Sequence, residues 1–160
     1  KVGKVMDKTE KALDYFRNSY NCSQSVLVSF GEELGLSEDD CLKIATAFGG
    51  GMGRQQYICG TVTGALMVLG LKYGKGLNDP EEKKKNTYRI TKEFFDEFKR
   101  LNGSVNCLDL LDGLDMNNPA DHKKIVEQNY FKIRCEKYVA DAVNILLKSA
   151  VKDLNSRRKL

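Results

Sequence analysis

The stretch Phe48-Gly-Gly-Gly-Met-Gly-Arg-Gln-Gln-Tyr-Ile-Cys-Gly-Thr-Val-Thr-Gly-Ala65 decides how the chain reads. It crowds Gly49, Gly50, Gly51 and Gly53 into five positions, then sets Cys59 at the start of a small-residue, apolar segment. Glycines in this density permit backbone conformations closed to other residues and leave N–H groups open to a ligand. Arg54 adds a cation for an anion or carboxylate. No Gly-Lys-Ser/Thr follows, so the run is not a phosphate-binding P-loop, and no strand precedes it, so it is not a dinucleotide fingerprint. The candidates for contact with a bound group are Gly49, Gly50, Gly51, Gly53, Arg54 and Gly60; the competing reading is a flexible turn between helices.

Outward from this stretch the pattern is helical on both sides. Cys59 opens a helix to about Gly70 or Tyr73, with Gly60 and Gly64 on one face, where small residues let a second helix backbone approach closely. Upstream, Ser37-Glu-Asp-Asp40 reads as a cap for a helix that buries Cys41, Ile44, Ala45 and Phe48. Before it, a helix runs from an Asn21 cap to a Gly35 stop with the stripe Cys22, Val26, Phe30 and Leu34. Residues 2 to 18 carry Val2, Val5, Met6, Leu13 and Phe16 near the same period.

Downstream, Asp79-Pro80 reads as cap and first residue of a long helix to about Asn102. Its expected core face is Tyr88, Thr91, Phe94, Phe95, Phe98 and Leu101. Gly103-Ser104 leads into a short helix with Cys107, Leu108 and Leu111, and Asn118-Pro119 opens another. A last helix is expected over roughly 125–154, with Phe131, Cys135, Tyr138, Val139, Ala142 and Leu146 inward. No run alternates with period two. The expectation is all-α: a single-domain helical bundle over 1–160, about five main helices plus one or two short ones, and a basic tail at 155–160.

With 160 residues, 41% of them apolar and 30% charged, the chain can bury a core without covalent staples. Its longest apolar run, Ala65 to Leu69, is too short to span a bilayer, so no membrane insertion is expected. The net charge of +4 comes from scattered lysines and the tail, which does not make a nucleic-acid surface. No secretory leader pattern is visible, and a cytoplasmic location is expected. A homodimer through the glycine face is compatible with the pattern.

The five cysteines, Cys22, Cys41, Cys59, Cys107 and Cys135, are widely spaced and odd in number. They are not the dense framework of a small secreted scaffold. No Cys-x-x-Cys occurs, which removes zinc ribbons and the thioredoxin motif, and His122, the only histidine, stands in a charged stretch. Cys22, Cys59 and Cys107 each fall in a predicted first helical turn, where free N–H groups and the helix dipole favour a thiolate. A thiolate attacks disulfides and binds metals, so Cys59 and Cys22 are candidate redox thiols. Position alone weighs packing and chemistry equally for those two and favours packing for Cys107, Cys135 and Cys41.

Asn21-Cys-Ser-Gln-Ser-Val26, the glycine loop, Cys59-Gly-Thr-Val-Thr-Gly-Ala65, Gly103-Ser-Val-Asn-Cys107 and Cys135-Glu-Lys-Tyr-Val139 resemble, in order, the redox-active family named for a Cys-Gly-Ala-x-x-Gly motif and four invariant cysteines. Thr61 stands where the motif has Ala. The resemblance implies a prokaryotic redox protein whose four cysteines are Cys22, Cys59, Cys107 and Cys135, leaving Cys41 over. A similar domain in split-Soret-type cytochromes implies an electron carrier with an iron–sulfur centre. The expected cofactor is therefore an iron–sulfur cluster, most simply [2Fe–2S], on those four thiols, serving an unidentified redox partner protein. The alternatives are metal-free thiol–disulfide exchange with Cys59 as thiolate, and a transporter-associated zinc-binding or oxidant-sensing module.

Overall fold

The computed structural model describes residues 6–157. Eight α-helices follow in order: α1 (Lys8–Arg17), α2 (Cys22–Gly31), α3 (Glu38–Ala45), α4 (Gly60–Tyr73), α5 (Glu81–Asn102), α6 (Cys107–Leu110), α7 (Pro119–Glu127) and α8 (Glu136–Arg157). Five of them have ten or more residues, matching the expected main helices; α3, α6 and α7 are the short ones. Among the described residues there is no strand, only an isolated antiparallel bridge between Ile58 and Asn106.

Helix α2 is the hub, packed against α1, α3, α4 and α8. A helix enclosed on all sides must be apolar or small all round. α2 achieves this with Val26, Leu27, Val28 and Phe30 alongside three buried serines. The hydroxyls of Ser25 and Ser29 donate to the carbonyls of Asn21 and Ser25, so they enter the core without an unmet hydrogen bond. The single stripe read from the sequence understates this helix.

The α2–α4 contact is the most extensive in the bundle. A Cβ on Gly64 would sit 2.7 Å from the Ser23 carbonyl oxygen and 3.2 Å from Val26 Cβ, and one on Gly60 would overlap the Cys22 sulfur. The two glycines therefore serve an intramolecular helix, as their spacing predicts.

Several faces are narrower than the sequence indicates. Helix α3 packs mainly on α2, so Cys41 and Ala45 are buried while Ile44 is 50% exposed. Helix α5 meets α4 and α8 along Ile90, Phe94 and Phe98, leaving Tyr88 and Leu101 outside. Asp79 accepts from the Gly76 N–H at 2.8 Å, stabilising the preceding turn and leaving the first N–H groups of α5 uncapped by it. The expected helix from 125 is broken. Asn129 adopts φ 58°, and Phe131–Cys135 forms a π-helical turn before α8 begins. Asparagine tolerates the left-handed region, and no Gly or Pro marks the break. Of the first predicted helix, Val2 and Val5 lie outside the described residues, and Met6 is exposed.

Two apolar clusters result. The main core gathers α1–α5 and α8 and includes Cys59, with Cys22 packed against it. A smaller one contains Cys107, Leu111, Met116 and Ile125, with Phe131 and Cys135 packed against it. Gly64→Ala is expected to destabilise the fold by about 1–3 kcal/mol through overpacking. Gly70→Ala, in the same helix but with nothing within 4 Å of the new methyl group, is expected to stabilise by roughly 0.5–1 kcal/mol. Urea unfolding midpoints of the two variants check the opposite signs.

Candidate functional site

The four cysteines reach one place by four different local devices. Cys22 is the first residue of α2, positioned by a reciprocal cap in which Asn21 Oδ1 accepts the Gln24 N–H and Gln24 Oε1 accepts the Asn21 N–H, both at 2.9 Å. Asn21 Nδ2 also donates to the Thr46 carbonyl, and Gln24 Nε2 to the Leu42 carbonyl and the Thr46 hydroxyl. These bonds tie the start of α2 to the end of α3, where the glycine loop begins.

The loop is a left-handed turn. Gly50, Gly51, Met52, Gly53 and Arg54 all have φ between 58° and 69°, and Gln56 has φ 58°. Each L-residue in such a run costs roughly 1–2 kcal/mol, which explains glycine at three of the five consecutive positions. Gly51 is required twice, because a Cβ there would lie 2.7 Å from Gln56 Cα and from Tyr57 N. Gln56 then turns inward, buried, with Nε2 donating to the Leu114 carbonyl and Oε1 accepting the Met116 N–H. It pins the 112–118 loop to the glycine loop.

Cys59 caps α4, and its N–H donates to the Val105 carbonyl, while the Cys107 N–H donates to Tyr57 and the Leu108 N–H to Gln56. This two-stranded bridge aligns Cys59 with Cys107, the first residue of α6. Cys135 ends the π-helical turn. Its neighbour Arg134 makes a bidentate pair with Asp112 at 2.8 and 2.7 Å and lies over the Tyr130 ring, whose hydroxyl also donates to Asp112. The Tyr138 hydroxyl donates to the Leu110 carbonyl at 2.9 Å. These contacts clamp the Cys135 segment onto the Cys107 segment.

Cys22, Cys59, Cys107 and Cys135 line one open cavity of about 370 Å³, at the seam between the two apolar clusters. Gly49, Gly50, Gly53 and Arg54 line it too, with Thr61, Phe131, Met116 and Tyr138 among the rest of the wall. Gly51 and Gly60 do not; they serve as the loop's fold-back and the seat of Cys22. Cys41 lies elsewhere, fully buried against Gly31, its thiol reaching the Leu36 carbonyl at 3.8 Å. His122 stands beside Phe131 and is not on the cavity wall. All five cysteines are free thiols. Among the described residues, no three His, Cys, Asp or Glu side chains are grouped to share a single metal ion.

Burial overrules the helix-start argument for low thiol pKa. Desolvation pushes Cys59 and Cys107 up to about 12 and raises Cys22 and Cys135 as well, with the neighbouring sulfurs adding to the shift at Cys59, Cys107 and Cys135. At Cys22 the backbone N–H groups of Gly50, Ser23, Cys22 and Gly60 oppose the shift, and at Cys59 the Thr61 hydroxyl and N–H do. The helix starts are real, but burial outweighs them at all four thiols.

Sequence reasoning missed Gln56, Thr61, Tyr138 and the Asp112–Arg134–Tyr130 group. Apart from Thr61, none lies in a motif, and each acts through a partner distant in sequence. The exception with a local signal is Thr61, two residues beyond Cys59 and the one departure from the Cys-Gly-Ala-x-x-Gly pattern.

Residues 20–149 match the family described as "Putative redox-active protein (C_GCAxxG_C_C)". A protein of Archaeoglobus fulgidus, described as uncharacterized, is 30% identical over 159 residues, covering 92% of this chain and 98% of its own. No solved structure matches.

Raised thiol pKa values fix a sign for stability. Above the ordinary value of 9.0 the unfolded chain loses thiol protons that the native cavity retains, so the native state binds more protons and unfolding becomes easier as pH rises. Metal-free protein is expected to lose stability from pH 9 toward about 12. A Cys59→Ala/Cys107→Ala double variant should fall less steeply, as read by chemical denaturation across that range.

Proposed function

Because this chain belongs to the redox-active C_GCAxxG_C_C family, we propose that Cys22, Cys59, Cys107 and Cys135 hold an iron–sulfur cluster and that the protein carries single electrons between partner proteins. The reading is carried by the four thiols, brought from separate elements onto one cavity. An all-thiol donor set suits soft metals and iron–sulfur clusters. The smallest cluster that uses four thiolates is [2Fe–2S].

When bound, the cluster supplies a one-electron redox centre. The chain's own residues do the rest. Burial holds the thiols as neutral acids until a cation displaces their protons, so loading releases protons and strengthens as pH rises. The N–H groups of Gly50, Ser23 and Gly60 face the Cys22 sulfur and favour its charged form. Leu110, Leu111, Met116 and Phe131 make the wall around Cys107 and Cys135 apolar. Metal-free exchange is the weaker reading, since a Cys59 thiol near 12 is a poor nucleophile at neutral pH.

Anaerobic reconstitution with ferrous iron and sulfide is expected to give visible charge-transfer absorption that bleaches on reduction, with equal iron and acid-labile sulfide. Each of Cys22→Ser, Cys59→Ser, Cys107→Ser and Cys135→Ser should lose most of that absorption, whereas Cys41→Ala should keep it and only lower stability. A folded, colourless wild-type protein after this treatment would overturn the cluster. One zinc per chain with four sulfur neighbours would replace it with the structural-metal reading.

A further inference from the structure

Most buried hydroxyls in this bundle serve the backbone. Ser25 and Ser29 return to carbonyls one turn earlier, and Thr63 donates to the Gly60 carbonyl at 3.1 Å. Thr61 differs. It is fully buried on the second residue of α4, where no preceding helical turn offers a carbonyl, and its Oγ1 lies 3.1 Å from the Cys59 sulfur. It also lines the cysteine cavity. Thr61 Oγ1 is not left unsatisfied, and the Cys59 sulfur is the partner that the side chain meets.

A neutral thiol and a hydroxyl can each donate to the other. Once the sulfur is charged, as a thiolate or a metal ligand, it has no proton, and only the Thr61 hydroxyl can donate. An alanine at this position would leave the Cys59 sulfur with backbone donors alone. We propose that Thr61 is a positioning residue of this chain that donates a hydrogen bond to the charged Cys59 sulfur and thereby raises the reduction potential of the site. Hydrogen bonds to ligand sulfur favour the more negative, reduced state, which sets the direction of the shift. The redox consequence rests on the cluster reading; the hydrogen bond itself rests only on the geometry.

Thr61→Val removes the hydroxyl at nearly constant shape, and Thr61→Ser restores it. In reconstituted protein, the midpoint potential of Thr61→Val is expected below that of the wild type, with Thr61→Ser close to wild type. In cluster-free protein, iodoacetamide alkylation at mildly alkaline pH, followed by peptide mass spectrometry, gives the rate at Cys59 relative to Cys107 within the same molecules. That ratio should fall about ten-fold in Thr61→Val, the size expected for a hydrogen bond to a charged group, and hold in Thr61→Ser. A wild-type ratio in Thr61→Val overturns the hydrogen bond. A changed ratio with an unchanged potential overturns the redox role. If the wild type loads no cluster, the proposed function fails, the redox role falls with it, and the alkylation ratio still decides the hydrogen bond.

Discussion

The approach of α2 to α4 through Gly60 and Gly64 governs both the core and the site. Gly64 admits the Ser23 backbone, and Gly60 admits the Cys22 sulfur itself. Because Cys22 begins α2 and Cys59 caps α4, the contact that packs the two most enclosed helices also sets two of the four thiols beside each other. A methyl group at either glycine would push the helices apart and open the cavity wall at once. The other pair, Cys107 and Cys135, belongs to a separate apolar cluster, joined to the first through the Ile58–Asn106 bridge and the Gln56 side chain.

The glycine loop is held by hydrogen bonds from several sides. Met52, Arg54 and Gln56 are non-glycine residues in the left-handed region, a strain that surrounding structure must outweigh. The hydrogen bonds of Gln56 to Leu114 and Met116, and of the Gln56 and Tyr57 N–H groups to the Gly50 and Gly51 carbonyls, provide that restraint. In this arrangement the Gly50 N–H is directed at the Cys22 sulfur.

Two electrostatic effects compete over the thiols, and their sizes decide the outcome. A helix start contributes a partial positive charge of about half a unit, while burial removes the solvation of a whole anion. Burial wins at all four cavity cysteines. The N–H groups at the helix starts favour negative charge on the Cys22 and Cys59 sulfurs without outweighing that cost. The N–H donors are concentrated on the Cys22 and Cys59 side of the cavity, so its two halves are electrostatically unequal.

Local signals made the helices and most of their caps legible in the sequence, while the four-cysteine set came from the family resemblance and not from position. Asn21, Ser37 and Asn118 cap where they were expected, since a cap depends on atoms three residues away. Gly60 and Gly64 announced a close helix contact by spacing alone. What the sequence could not express was which faces meet. Tyr88, Leu101 and Ile44 fit an apolar period but have no element opposite them, and Asn129 breaks a helix whose period continues past it. The convergence of the four thiols and the clamp of Arg134 on Asp112 were decided by tertiary structure. Burial and hydrogen bonding between distant segments depend on the whole packing, whereas helix starts depend on a few neighbouring residues.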